Sequence, residues 1–420
     1  PRRALELLRG AENATRADAF GAEDAALADL VPTSQLHNTI HSMAILRTHR
    51  PGRAENTVKS VGVIGGGLMA SQLAVLLAGK LRVPVVLREL DEERASRTRE
   101  LLRSEIEKLG LEDARAEALG GLLTATVSLE DLADSDLVIE AVFEELAVKQ
   151  QVFSEIEPLL REDAVLATNT SSLSITAMGE VLERPERLVG IHFFNPVARM
   201  PLVEIVRTPS TSEDALTTAR ALAWGAGKTT VEVADAPGFV VNRILLRLLA
   251  VVLESMERGT PPEVADKALE PIGLPMGPLH LLQLVGPAVA NHVLVELHER
   301  LGERYPLSPG LDAVVDDGAS FLTGPPSPGT PIDPGVARNF GASSANAGTD
   351  GTADDAPTLL RRVQVALADE IHRMIDEGVA ERDAIDVAMI TGAGWPLHRG
   401  GITKYLDEVG AAEEAGGRFH

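Results

Sequence analysis

The stretch 57–70, TVKSVGVIGGGLMA, constrains the fold more than any other part of the chain. Residues 57–64 read as a short β-strand whose apolar residues are Val58, Val61, Val63 and Ile64. Gly65, Gly66 and Gly67 follow at once, and an apolar helix opens at Leu68. A glycine turn between strand and helix lets backbone N–H groups approach a pyrophosphate, and the helix N-terminus adds a favourable dipole. Ala70 is small enough for that helix to pack close to the strand. A second strand, 84–89 (PVVLRE), ends on Glu89, 24 positions after Gly65. A carboxylate in that place meets a ribose 2′-hydroxyl. The competing reading is a plain βαβ unit with a surface Glu89. Strand, turn, helix and acid together favour dinucleotide binding.

A chain of 420 residues suggests about two to three domains. It is 45% hydrophobic and 3% aromatic, so its cores are mostly aliphatic. The net charge of −23 argues against nucleic acid or an anionic membrane as the main partner. The absence of cysteine excludes disulfides, thiolate catalysis and Cys-based zinc sites. No stretch is long and apolar enough to span a bilayer, and no signal-peptide pattern opens the chain; a cytoplasmic location is the default expectation. No metal is expected, since His292 and His298 are too far apart for an i, i+4 pair and no HExxH occurs.

Residues 1–52 read as helical and 50–57 as a linker. Residues 58–235 alternate strand and helix, the pattern of a parallel α/β sheet. Strands are expected at 124–127, 136–141, 164–168, 189–193, 202–206 and 229–233, with helices at 92–109 and 145–160. The APG at 236–238 breaks this pattern, and a long apolar helix at 239–258 opens an all-α region, 236–322. Residues 323–357, rich in Gly, Pro, Ser, Thr and Asp, read as a mobile linker before a second helical domain, 358–420. A weak repeat relates 254–277 to 371–396: a helix ending at Gly259 or Gly378, then a helix with Asp266 or Asp386. Chance similarity of two helical hairpins is the alternative.

Four polar residues sit at strand ends or in an apolar helix of the α/β unit, where such sheets bind ligands. His192 ends an apolar strand, and Glu204 lies 12 residues later between Val203 and Ile205. An acid inside an apolar strand is costly unless paired, so neighbouring strands would bring Glu204 to His192. Such a pair is either a carboxylate-supported base for a substrate hydroxyl or a structural ion pair. Ser171, in NTSS after a strand, is either a helix cap or a ligand group. Asn242, a poor helix former in an apolar helix, reaches either a ligand or a neighbouring helix. Glu144 and Lys149 either contact the nicotinamide ribose side of a cofactor or form a solvated pair.

Together VGVIGGGLMA, EAVFEELAVKQ, ATNTSSLSI, GIHFFNPVARMPLVEIV and DAPGFVVNR, in that order over residues 58–243, resemble the 3-hydroxyacyl-CoA dehydrogenase family. The helical part through GLPMGP (273–278) and the ending GWPLHRGGITKYLD resemble the dehydrogenase half of the multifunctional fatty-acid oxidation α subunit. Residues 1–52 resemble the tail of the hydratase half; the hydratase body, and with it hydratase activity, is not implied. The resemblance implies an α/β fold: a Rossmann-type NAD-binding domain followed by two all-α helical domains. It implies NAD-dependent oxidation of a (3S)-3-hydroxyacyl-CoA to the 3-oxoacyl-CoA. His192 is then the general base, Glu204 its partner, and Ser171 and Asn242 hydrogen-bond the substrate oxygen or the histidine. Gly65, Gly67, Leu68, Met69, Glu89, Glu144, Lys149 and Asn195 are the implied NAD-contacting set. Implied partners are an acyl-CoA substrate, a thiolase β subunit and further copies of the chain. A dehydrogenase for a free hydroxy acid, and a non-enzymatic subunit docking a thiolase, are the other readings.

Overall fold

The structure is a computed structural model that describes residues 2–49, 58–327, 329–341 and 353–420. The linker expected at 50–57, with the first residue of the strand expected from 57, lies outside the described residues, as do positions 328 and 342–352 of the second expected linker.

Eight strands form one sheet: β1 (Val61–Ile64), β2 (Val85–Arg88), β3 (Leu123–Thr126), β4 (Leu137–Glu140), β5 (Val165–Thr168), β6 (Leu188–Phe193), β7 (Leu202–Arg207) and β8 (Thr229–Ala234). Their spatial order is β3-β2-β1-β4-β5-β6-β7-β8. All neighbours are parallel except β6 and β7, which run antiparallel. The strand order reverses between β1 and β4, which makes the crevice beyond their carboxyl ends the place for a ligand. Every residue of β1, β4, β5 and β6 is buried, as helices on both faces of a parallel sheet require.

Several elements differ from the sequence expectation for local reasons. The helix expected to 109 ends at Glu107, and a second helix, Asp113–Gly120, follows it. The helix expected at 145–160 runs Leu146–Ile156 and then tightens into a 3₁₀ turn, Glu157–Leu159, at Pro158, which has no N–H to give. The long helix runs Val241–Glu257, because Gly238 (φ +69°) and Phe239 (φ +48°) both adopt left-handed backbone ahead of it.

That helix is buried nearly all round, which places it at the centre of the helical part. It packs against helix Ala356–Asp376. Ile371 and Met374 of the latter are buried, and Ile375 is partly so. Both helical regions and one face of the sheet share a single apolar cluster. The described residues of 323–341 do not form a free tether: Leu322 bridges Ile332, helix Val336–Asn339 follows, and Val336 and Phe340 are buried. Two apolar side chains in that polar stretch suffice to anchor it.

The weak repeat has a physical counterpart. Asp266 accepts the Leu279 N–H at 2.9 Å, and Asp386 accepts the Thr403 N–H at 2.9 Å. Each carboxylate thus satisfies the start of the next helix, Pro278–Val285 or Ile402–Glu408. The cap residue is glycine in both cases. A Cβ on Gly277 or Gly401 would lie 2.3 or 2.4 Å from the aspartate.

Candidate active site

The glycine turn is shaped by what surrounds it. Gly65 has φ +105°, and a Cβ there would meet the Ala141 carbonyl at 2.6 Å. A Cβ on Gly66 would meet Thr98 Oγ1 at 2.0 Å and Glu89 Oε1 at 2.8 Å. Gly67 faces open space. Gly65 and Gly66 are therefore glycines for packing, and Gly67 for leaving a cradle free at the start of helix Leu68–Leu81. A cavity of about 500 Å³ opens there, lined by Gly65, Gly66, Gly67, Glu89, Arg94 and Arg97 among others. Glu89 Oε2 accepts the Leu90 N–H at 3.1 Å, which aims the carboxylate at this cavity. Leu68 is half exposed at the helix start, and Met69 packs against the sheet-side core. The residues fit a dinucleotide: an open backbone cradle for a pyrophosphate and an acid for a ribose.

The other implied cofactor residues are arranged differently from one another. The Lys149 ammonium is buried, 2.8 and 2.9 Å from the two Glu140 oxygens and 3.1 Å from Glu144 Oε2. It offers no free face to the cavity; its effect is to hold Glu144. Glu144 Oε1 accepts hydrogen bonds from Thr170 Oγ1 and from the Ser171 N–H. Burial pushes the Glu144 carboxyl up, but Lys149 and these hydrogen bonds outweigh it and hold it below the ordinary range. Glu144 therefore ties the NTSS turn to the end of β4. Asn195 is exposed, in a cis Asn195–Pro196 peptide after β6.

Antiparallel register sets His192 directly opposite Glu204. His192 Nδ1 lies 2.6 Å from Glu204 Oε2. Glu204 Oε1 accepts the Val240 and Val241 N–H groups at 3.2 and 3.0 Å. The buried carboxylate is thus fixed from both sides, by the imidazole and by the start of the long helix. With Nδ1–H donating to Glu204, Nε2 is the nitrogen left to accept. Phe194 and Phe239 flank the ring at 4.4 and 5.5 Å between centroids.

Ser171 does not cap the helix that follows: Ser174 does, accepting the Ala177 N–H at 3.3 Å. Asn242 Nδ2 donates to the Ser171 carbonyl at 3.4 Å, across the junction of sheet and helical part. Three positioning residues escaped the sequence reading. Asn169 Oδ1 accepts the Phe193 N–H at 2.9 Å and so binds the NTSS turn to the histidine strand. Arg300 Nη1 donates to the Ser172 carbonyl at 3.3 Å. Lys228 donates to the carbonyls of Val197 and Met200, holding the loop after β6; burial, aided by Lys80, pushes its amine down to about 8.

The cradle follows β1, Glu89 follows β2, and His192 lies near the end of β6, all along one edge of the sheet. A base held there, beside a dinucleotide cleft, is the working arrangement of an NAD-dependent dehydrogenase. Residues 60–236 match the family described as 3-hydroxyacyl-CoA dehydrogenase, NAD binding domain, and residues 238–321 match its C-terminal domain. The chain belongs to the 3-hydroxyacyl-CoA dehydrogenase family. It is 34% identical over 383 residues to the fatty acid oxidation complex subunit alpha of Shewanella baltica, covering 87% of this chain and 53% of that one. It is 31% identical over 432 residues to the subunit of the same name from Psychrobacter sp., covering 98% and 60%. The chain thus spans between about half and three fifths of the length of these relatives. Among solved structures, M. tuberculosis FadB2 shares 36% identity at a TM-score of 0.59, over 62% of this chain and 94% of that one. The 3-hydroxybutyryl-CoA dehydrogenase of Escherichia coli K12 shares the fold, with a TM-score of 0.69 and 23% identity over 86% of this chain and 98% of that one.

Proposed function

We propose that this chain oxidises (3S)-3-hydroxyacyl-CoA thioesters to 3-oxoacyl-CoA, as a step of fatty-acid β-oxidation. The observation that carries the reading is the buried His192–Glu204 pair at 2.6 Å, with the second imidazole nitrogen left to accept a proton. NAD, when bound, supplies the hydride acceptor. The Gly67 cradle and Glu89 hold its pyrophosphate and ribose. His192 Nε2 takes the proton of the substrate hydroxyl, and Glu204 stabilises the imidazolium that forms. Ser171 and Asn242, joined by their own hydrogen bond, line the turn where the substrate oxygen is oriented. Phe194 and Phe239 crowd the imidazole and restrict water around it.

The test is NADH absorbance with acetoacetyl-CoA, compared with free acetoacetate. Oxidation of NADH by the thioester alone supports the reading; turnover of the free acid at an equal rate would replace it with the free hydroxy-acid reading.

Two further parts belong to the same proposal. The relatives are named as subunits of a complex, and the helical part retained here supports assembly with a thiolase β subunit or with further copies of this chain. Sedimentation with and without a thiolase subunit tests it. No single helix among the described residues is long and apolar enough to cross a membrane. That, with a net charge of −23, supports work in the cytoplasm, which cell fractionation tests.

A further inference from the structure

Away from the dehydrogenase cleft, two imidazoles and a buried carboxylate converge from distant parts of the chain. His41 comes from helix Ser34–Thr48, Asp386 from helix Arg382–Gly392, and His420 from the stretch after helix Ala411–Ala415. One ligand atom from each lies within 4.8 Å of the others. We propose that His41, Asp386 and His420 bind a divalent transition-metal ion, with zinc the best fit, that pins the first helices and residues 416–420 to the second helical region.

Each ligand has its own reason to want the ion. Nε2 of His41 is buried and has no hydrogen-bond partner, an unpaired state that protein interiors avoid. Asp386 is wholly buried and faces no lysine or arginine ion-pair partner at salt-bridge distance among the described residues. Its donors include the Thr403 N–H at 2.9 Å, the Thr403 hydroxyl at 2.6 Å and the Ile402 backbone. Those leave lone pairs on a carboxylate that is expensive to bury uncompensated. His420 is held by the same hydroxyl, with Nε2 3.1 Å from Thr403 Oγ1. Thr403 therefore holds Asp386 and His420 close to one another.

The chemistry of the donor set selects the ion. Two imidazoles and one carboxylate are the donors of tetrahedral zinc sites that keep a fourth position for water. Calcium and magnesium prefer all-oxygen shells. In a tetrahedral zinc site the ligand atoms stand about 3.4 Å apart, so the present spread closes with side-chain rotations, chiefly of exposed His420. The surrounding charges are mixed. Lys404 and Arg382 act on both imidazoles, Asp383 on His41 and Asp407 on His420. The role is structural: the ion would add to existing ties among these segments, such as Asn38 to Glu408, Ser42 to the Leu397 carbonyl, and the Phe419 and His420 N–H groups to Asp407.

The test uses the full chain, stripped of metal with a chelator and dialysed. Zinc is then titrated against a chromophoric competitor, and thermal melts are recorded with zinc and with magnesium. One tight zinc equivalent and a higher melting temperature with zinc alone are expected. His41→Ala and His420→Ala should each weaken zinc binding at least about tenfold. His292→Ala, which removes a surface histidine paired with Glu296, should leave it unchanged. The histidine variants are used because Asp386 also caps a helix, so its replacement confounds binding with folding. No tight equivalent, or one that survives both His41→Ala and His420→Ala, overturns the proposal.

Discussion

Single residues in this protein act through what fixes them. Glu204 spends one oxygen on His192 and the other on the N–H groups at the start of the long helix, so it couples the imidazole to the helical part. Glu204→Gln keeps the size and one acceptor but cannot stabilise an imidazolium as a carboxylate does. It should slow turnover by about tenfold or more in single-turnover measurements, with a smaller effect on NADH affinity. Asn242→Ala should be a weaker defect of the same kind. In the proposed binding mode Glu89, just after β2, accepts hydrogen bonds from a ribose 2′-hydroxyl and repels a 2′-phosphate. Rates should be higher with NAD than with NADP, and Glu89→Ala should narrow the difference; equal or higher rates with NADP in the unaltered protein would contradict this. These two sites were legible in the sequence because each needs only local rules: an acid at a strand end, and an acid in an apolar strand seeking a partner 12 residues away. The clamp of Lys149 between Glu140 and Glu144 was not. Glu144 and Lys149 read either as cofactor contacts or as a solvated pair near a helix start, and only burial reveals that the ammonium is occupied.

At the scale of elements, the strand–turn–helix unit follows from its own residues, yet its tightest constraint comes from elsewhere. Gly66 is crowded by Thr98, 32 positions away on the next helix, whose hydroxyl donates to the Gly66 carbonyl at 3.2 Å. Gly66→Ala should therefore weaken NADH binding through displacement of Thr98 and Glu89, and lower stability by about 1–3 kcal/mol, measured by fluorescence titration and denaturant melts. Gly67→Ala meets no atom and should be the milder change for stability while obstructing the cradle. The boundaries that the sequence blurred lie where one residue changes the rule: Pro158 ending an α-helix, and Phe239 in left-handed backbone before another. The recurrence of Asp266 and Asp386 as helix caps was faintly legible, because the repeat keeps the aspartate and the glycine it must approach.

Over the whole molecule, the two helical regions are joined by charge as well as by apolar packing. Arg243, next to Asn242, donates to Glu370 at 2.6 Å and to Glu377 at 2.7 Å, and both Arg243 and Glu370 are buried. Glu370→Gln would leave Arg243 without its buried counter-charge and should cost about 3–5 kcal/mol in denaturant melts. Such long-range pairs, 127 positions apart, leave no local pattern in a sequence. The same holds for His41, Asp386 and His420, which no spacing rule connects. The proposed chemistry rests on His192 as a proton acceptor. The most direct measurement is single-turnover oxidation of NADH by acetoacetyl-CoA in His192→Ala, alongside its thermal melt and NADH affinity. The variant should be folded, bind NADH normally and turn over at least about 100-fold more slowly. A folded His192→Ala protein with normal turnover would contradict the proposed chemistry.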